Sequence, residues 1–395
     1  MFGRVRYKSL RKMLFSEILK DLDWEETGKS IYAKTSRDVE RALAKAQTPG
    51  AEINLEDFKA LVSPAAAAAP YLETMAGLSR TATQKKFGKT IQFYIPLYLS
   101  NACTNHCIYC GFNHENKFTR VTLTDEQIME ECKVLKQMGY EHLLLLTGES
   151  PKEAGIDYLE HAMQLISPYF AQISLEVQPM DTPDYERLRK SGLHAVYVYQ
   201  ETYNKERYKF YHPAGMKRNY EWRLNTQDRL GLANVNKIGL GALLGLEDWR
   251  IEAFCMAMHL RHLQKTYWRS KYCVAFPRMR PHEGEGYQPQ HVVSDKEFCQ
   301  MIWAFRLLDD EVEMSLTTRE SRDFRNHMVS LGITSISAGS QTDPGGYAHP
   351  NTEVAQFEIN DNRSPVEMKK MIEEQGYEVV WKDWDKVYDF HDVKA

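Results

Sequence analysis

The sequence predicts an α/β fold closed into a TIM-type (β/α)8 barrel, and three observations carry that prediction. From residue 90 to about residue 340, short apolar, β-rich runs alternate with stretches of helical periodicity. The alternation repeats eight times without a long interruption, which implies parallel strands joined by helical crossovers. A barrel of this kind needs about 250 residues, and 395 residues hold one with additions at both ends. An open or partial barrel of about six units is the alternative.

Three segments follow from this reading. Residues 1–85 read as a helical extension, residues 86–340 as the barrel, and residues 341–395 as a C-terminal segment packed on it. In the first segment Phe15, Ile18, Leu19 and Leu22 keep helical spacing, and Asn54 begins an N-cap followed by an acidic first turn. The small-residue run 65–69, flanked by Pro64 and Pro70, reads as close helix packing.

The expected strands are 92–100, 142–147, 172–178, 195–200, 237–243, 271–276, 313–317 and 334–338. The expected helices are 124–139, 155–167, 182–191, 219–231, 248–265, 294–308, 321–330 and 364–375. Function in such a barrel sits at the C-terminal ends of the strands. Polar residues stand at nearly every one: Glu149; Glu176 and Gln178; Gln200; Arg278 and Arg280; Arg319; Ser337 and Ser340. A barrel serving only as scaffold has no need of three arginines there.

The end of the first strand carries Cys103, Cys107 and Cys110 on one short loop. Three thiolates so spaced can hold three irons of a [4Fe–4S] cluster, leaving the fourth iron open to a small chelating molecule. The competing reading is zinc, which takes four Cys or His ligands in paired knuckles. No second C-x2-C motif exists here, and His106 lies cramped between the cysteines. Cys132, Cys255, Cys273 and Cys299 are scattered and read as core, where cysteine behaves as a small hydrophobe. His259 and His262 form an i, i+3 pair without an acidic third ligand, so they read as structural.

Net charge is −4 and the isoelectric point about 6.4, which gives no electrostatic case for nucleic acid. Aromatics at 71–77 and 94–99, with Trp381 and Trp384, read as packing rather than stacking platforms. No apolar run approaches the ~18 residues of a membrane span. The basic start Met1–Lys8 lacks the apolar core of a signal peptide. An odd cysteine count and an Fe–S motif point to a reducing compartment, and the cytoplasm is the expected location. Gly239 and Gly241 lack the spacing of a dinucleotide loop. They read as a small-residue strand that lets an adenine ring approach the backbone.

The motif Cys103-x3-Cys107-x-Tyr109-Cys110 after a strand resembles the radical S-adenosylmethionine (SAM) superfamily. Longer strings resemble one branch of it, the tyrosine lyases. They include Leu146-Thr-Gly-Glu149, Leu175-Glu-Val-Gln-Pro179, Tyr199-Gln-Glu-Thr-Tyr203, Pro277-Arg-Met-Arg-Pro281, Thr317-Thr-Arg-Glu320 and Ser337-Ala-Gly-Ser340. The resemblance runs from about residue 20 to the C-terminal strings Pro344-Gly-Gly-Tyr347 and Trp381-Lys-Asp-Trp384. Within the branch, the maturase of [FeFe]-hydrogenase carries three further cysteines near its C-terminus. This chain has none after Cys299, so its tail resembles the thiamine-biosynthesis side.

The resemblance implies a lyase that splits the Cα–Cβ bond of L-tyrosine into p-cresol and 2-iminoacetate. SAM would be converted to 5′-deoxyadenosine and methionine. It implies cluster binding by Cys103, Cys107 and Cys110. Tyr109 and Leu243 would flank adenine, with Leu243 in an element like G-x-I-x-G-x-x-E whose last position is Asp248. Glu149 would hold the SAM ammonium, and Glu176, Gln178 and Gln200 its ribose and carboxylate. Arg278, Arg280 and Arg319 compete for the tyrosine carboxylate, since a guanidinium fork suits a planar carboxylate. Ser337 and Ser340 would orient the amino group. The implied partners are a thiazole synthase complex and a flavodoxin or ferredoxin reductant. A lyase for another aromatic amino acid, such as tryptophan, and a non-catalytic Fe–S sensor are the alternatives.

Overall fold

Eight parallel strands close into a barrel in the computed structural model, which describes residues 13–280, 287–350 and 355–384. They are β1 (Thr90–Ser100), β2 (His142–Thr147), β3 (Gln172–Glu176), β4 (Leu193–Tyr197), β5 (Lys237–Gly241), β6 (Lys271–Ala275), β7 (Glu313–Leu316) and β8 (Ser335–Ser337). β1 pairs with both β2 and β8, which closes the ring and excludes the open sheet. Successive side chains alternate between faces. Leu143 and Leu145 of β2 therefore join the core under the helices, while Leu144 and Leu146 face the barrel interior. The basic N-terminus and the end of the C-terminal segment lie outside the described residues.

The strands stop earlier than their apolar runs suggest. Past β4, β5 and β6, pairing continues only as single bridges, Glu201 with Ala242 and Leu244 with Arg278. The interruption frees polar side chains at the strand ends. Glu201 adopts φ 68°, a left-handed conformation uncommon for a residue with a side chain.

The small residues of β5 serve a purpose other than the one expected. A Cβ at Gly239 would lie 2.2 Å from the Tyr197 ring, and one at Gly241 would lie 2.4 Å from the Tyr199 ring. The glycines make room for Tyr197 of β4 and Tyr199 just beyond it. Gly241→Ala should therefore push Tyr199 aside and cost about 1–3 kcal/mol. Urea melts of the variant check this, and an unchanged midpoint would contradict it.

The helices 125–137, 156–166, 182–190, 249–266, 295–308, 322–328 and 365–374 lie close to their expected spans. The expected helix 219–231 is broken at Asn225 into Tyr220–Leu224 and Thr226–Leu232. A helix at Lys205–Tyr211 and a ninth strand, β9 (Glu378–Val380), escaped the sequence reading. β9 pairs with Thr90–Gln92 and ties the C-terminal segment to the start of the barrel.

N-terminal helices cover the outside. Phe15 stacks on His259 with centroids 3.9 Å apart, and its backbone N–H donates to Asp228. His262 pairs with the same carboxylate at 2.9 Å. The two histidines thus dock a helix, as a structural role requires. Cys132, Cys255 and Cys273 are buried and Cys299 partly so. Trp381 packs on Phe93 and Tyr140, and Trp384 on His194. No described helix is long and apolar enough to cross a membrane.

One buried ion cluster fastens the C-terminal segment to β8. Asp361 accepts from Arg325 at 2.6 Å and from Arg363 at 2.6 Å. Arg325 also donates to the Ser337 carbonyl, and the Arg363 carbonyl accepts from the Gly339 N–H at 2.9 Å.

Candidate active site

The loop after β1 is built to present three thiols. Arg120 gathers it from within, donating to the carbonyls of Asn101, Phe112, Asn113 and Asn116. From outside, His106 N–H donates to the Ala214 carbonyl and Ile108 N–H to the Tyr211 carbonyl. The helix Lys205–Tyr211 and the turn after it thus clasp the loop. Cys103, Cys107 and Cys110 are free, and Cys110 lines the cavity that fills the mouth of the barrel. His106 is turned to Glu115, 3.2 Å away.

These thiols suit a cluster better than a single ion. Among the described residues no three His, Cys, Asp or Glu groups converge on one point as ligands of one ion must. A [4Fe–4S] cluster instead takes one thiolate per iron, so its ligands stand apart. The turn Thr147-Gly148-Glu149 presses against the same loop. A Cβ at Gly148 would lie 2.2 Å from the Ala102 carbonyl oxygen, so only glycine allows this approach. Loop and turn thereby form one cradle.

Glu149 is half-buried at that cradle. It accepts from Asn105 at 2.8 Å and from Arg223 at 2.8 Å, with Lys217 3.8 Å away. Burial pushes its carboxyl up, but Arg223 and Lys217 outweigh burial and hold it below its ordinary value. Lys217 also donates to Glu201 at 2.7 Å. Glu201, Lys217 and Arg223 were missed in the sequence. Glu201 adjoins the predicted Gln200, and only the strand parity separates them.

That parity corrects Gln200. Tyr199 and Glu201 line the cavity and Gln200 between them does not; its buried side-chain amide has no partner among the described residues. Gln178 also lies outside the main cavity. It donates to the Ala154 carbonyl at 2.8 Å and lines a smaller pocket with Glu149 and Arg223. Asp248 caps the helix Trp249–Thr266 and accepts from Tyr32, away from the cavity. Its neighbour Glu247 points inward to Tyr211 and Asn204 instead.

Tyr109 and Leu243 face each other's neighbourhood at the cavity wall, packed with Met279. The Tyr109 hydroxyl pairs with His212 at 2.8 Å, which fixes the ring.

The three arginines separate cleanly. Arg278 is committed to Glu320, to Asp295 at 2.6 Å and to the Val293 carbonyl, and it does not line the cavity. Its expected role toward a substrate carboxylate is therefore corrected: it braces Glu320. Arg280 lines the cavity but pairs with Glu320 at 3.2 Å. Arg319 lines the cavity, lies over the Phe357 ring at 3.4 Å, and its guanidinium has no hydrogen bond or ion pair among the described residues. Ser337 and Ser340 line the same wall, and the Ser340 hydroxyl is buried without a partner among the described residues. Glu176 lines the opposite side. Burial, then Glu201, pushes its carboxyl up to about 7.

Comparison with known proteins agrees with this geometry. Residues 97–257 match the radical SAM superfamily, and residues 275–378 match the biotin and thiamin synthesis associated domain. The 2-iminoacetate synthase of Salmonella typhimurium is 45% identical over 94% of this chain and 97% of its own length. That of Escherichia coli is 44% identical over the same shares. The [FeFe]-hydrogenase maturase HydG of Carboxydothermus hydrogenoformans superposes with a TM-score of 0.86 at 29% identity, over 94% of this chain and 86% of that one. The chain belongs to the 2-iminoacetate synthase family of radical SAM enzymes, which work with a [4Fe–4S] cluster and SAM.

Proposed function

We propose that this enzyme cleaves the Cα–Cβ bond of L-tyrosine to p-cresol and 2-iminoacetate, the latter supplying the thiazole moiety of thiamine. The observation that carries the reading is the guanidinium of Arg319, without an ion pair among the described residues, facing a cavity that is also lined by aromatic side chains. That arrangement suits an aromatic amino acid held by its carboxylate. A sensor protein would gain nothing from it.

Cys103, Cys107 and Cys110 would hold three irons of a cluster that, with SAM, would supply the radical chemistry of hydrogen abstraction. Tyr109 and Leu243 would flank the adenine. Glu149, fixed by Asn105 and Arg223, would accept from the SAM ammonium, and Glu201 would face the ribose. Arg319 offers two parallel N–H donors to the tyrosine carboxylate. The Ser340 hydroxyl, otherwise unpartnered, accepts from the amino group and aims its N–H. Tyr98, Leu144 and Leu146 exclude water around the ring. The protein's share is thus orientation and a dry cavity, while the cofactor carries the bond chemistry. A thiazole synthase partner, a flavodoxin or ferredoxin donor and a cytoplasmic location belong to the same proposal.

The test is anaerobic product analysis. Cluster-reconstituted enzyme with SAM, dithionite and L-tyrosine should give p-cresol, glyoxylate from hydrolysed iminoacetate, and 5′-deoxyadenosine. 5′-Deoxyadenosine without p-cresol would move the substrate to another aromatic amino acid, such as tryptophan. Neither product from cluster-loaded protein would revive the sensor.

A further inference from the structure

The cavity has two unlike walls. β6–β8 and their ends contribute Arg280, Arg319, Ser337 and Ser340. β1–β4 and their ends contribute Tyr94, Tyr98, Leu144, Leu146 and Tyr199, with Glu176 among them.

Charge pairing singles out two residues. Three carboxylates line the cavity: Glu176, Glu201 and Glu320. Glu201 is paired with Lys217, and Glu320 with Arg278 and Arg280. Glu176 has no hydrogen bond or ion pair among the described residues. Three cations line it as well, and of Lys217, Arg280 and Arg319 only Arg319 has no ion pair among the described residues. An unpaired charge in a buried cavity costs several kcal/mol, so folding alone would not retain either group. β3 and β7 stand four strands apart in a ring of eight, so the two groups feel each other's charge without a direct hydrogen bond or ion pair among the described residues. The site therefore presents a cation on one side and a carboxyl group on the other, with aromatic and leucine side chains near the carboxyl.

An amino acid bound through its carboxylate at Arg319 sends its side chain towards β1–β4. We propose that Glu176 recognises the phenol hydroxyl of the substrate, its carboxylate accepting the O–H, and thereby sets the preference for tyrosine over phenylalanine. This rests on the tyrosine-lyase reading, and it replaces the expected role of Glu176 toward SAM. The carboxyl's upward shift to about 7 by burial is consistent with a group that shares a proton with a bound hydroxyl. Arg319 and Glu176 then fix the two ends of one molecule, with Ser340 at its amino group.

The experiment measures equilibrium binding of L-tyrosine and L-phenylalanine to the SAM-loaded, cluster-reconstituted enzyme by anaerobic calorimetry, together with p-cresol formation by the wild type. Glu176→Leu should lower tyrosine affinity roughly 10–100-fold while phenylalanine and SAM affinities stay unchanged. Glu176→Gln, which keeps the shape and a hydrogen-bonding oxygen, should retain part of the preference. A tyrosine-to-phenylalanine ratio unchanged in both variants overturns the assignment, as does an equal loss for both amino acids, which marks a purely structural role. In either case, p-cresol from the wild type leaves the lyase reading standing. No p-cresol from the wild type removes that reading and this assignment with it.

Discussion

Arg319→Lys weakens L-tyrosine binding roughly 10–100-fold and leaves SAM binding unchanged, because an ammonium cannot reproduce the guanidinium's two parallel donors. Arg319→Leu removes the charge as well and leaves a buried carboxylate unpaired, at a cost of about 2–5 kcal/mol or more. Stacking on Phe357 holds the guanidinium in place, so the lysine variant also loses pre-orientation. Arg278→Lys provides the contrast. Its side chain serves Glu320, Asp295 and a backbone carbonyl, so this variant should lower thermal stability and spare the tyrosine affinity. Calorimetric titration of each variant with SAM and then with tyrosine separates the cases. Normal tyrosine affinity in Arg319→Leu would remove Arg319 from the substrate site.

Asp361→Asn destabilises the fold by about 3–5 kcal/mol, since it leaves the guanidinium groups of Arg325 and Arg363 buried without a counter-charge. The melting temperature should fall by several degrees. The change also reaches the site, because Arg325 holds the Ser337 carbonyl and Arg363 holds Gly339, both beside Ser340. Tyrosine KM should therefore rise even where the variant is folded. Burial pushes the Asp361 carboxyl up, but Arg363 and Arg325 outweigh it and hold it below its ordinary value. Its contribution is thus complete above the unfolded value of about 3.9 and is lost as pH falls through the depressed folded value. Wild type should lose stability in acid through this step, and Asp361→Asn should lack it. Identical acid unfolding profiles would show that the clamp contributes nothing.

The barrel was legible because its signal is local. A run such as His142–Thr147, preceded by the capped helix Asp125–Gln137 and followed by the helix Ile156–Ile166, states its own structure. The cysteine loop was legible for the same reason, since three ligands fall within eight residues. The ring of polar strand ends was also visible, but its facing was not. A one-residue change in parity moves a side chain from the interior to the helix layer, and that separates Glu201 from Gln200. Pairing between distant residues was equally hidden. Nothing local distinguishes Arg278, bound to Glu320, from Arg319, which has no ion pair among the described residues. The glycines of β5 showed that something approaches the backbone, yet the approaching groups are tyrosines 42 positions earlier in the chain. β9 escaped because three residues in a charged tail carry too little periodicity to read.

A crystal structure of the reconstituted enzyme with SAM and L-tyrosine, grown without oxygen or reductant, tests the central claim most directly. The tyrosine should span the barrel, its carboxylate on Arg319, its amino group at Ser340 and its phenol hydroxyl on Glu176. A carboxylate bound instead by Arg280, or a ring turned away from Tyr98 and Leu146 towards the cavity mouth, would contradict the account.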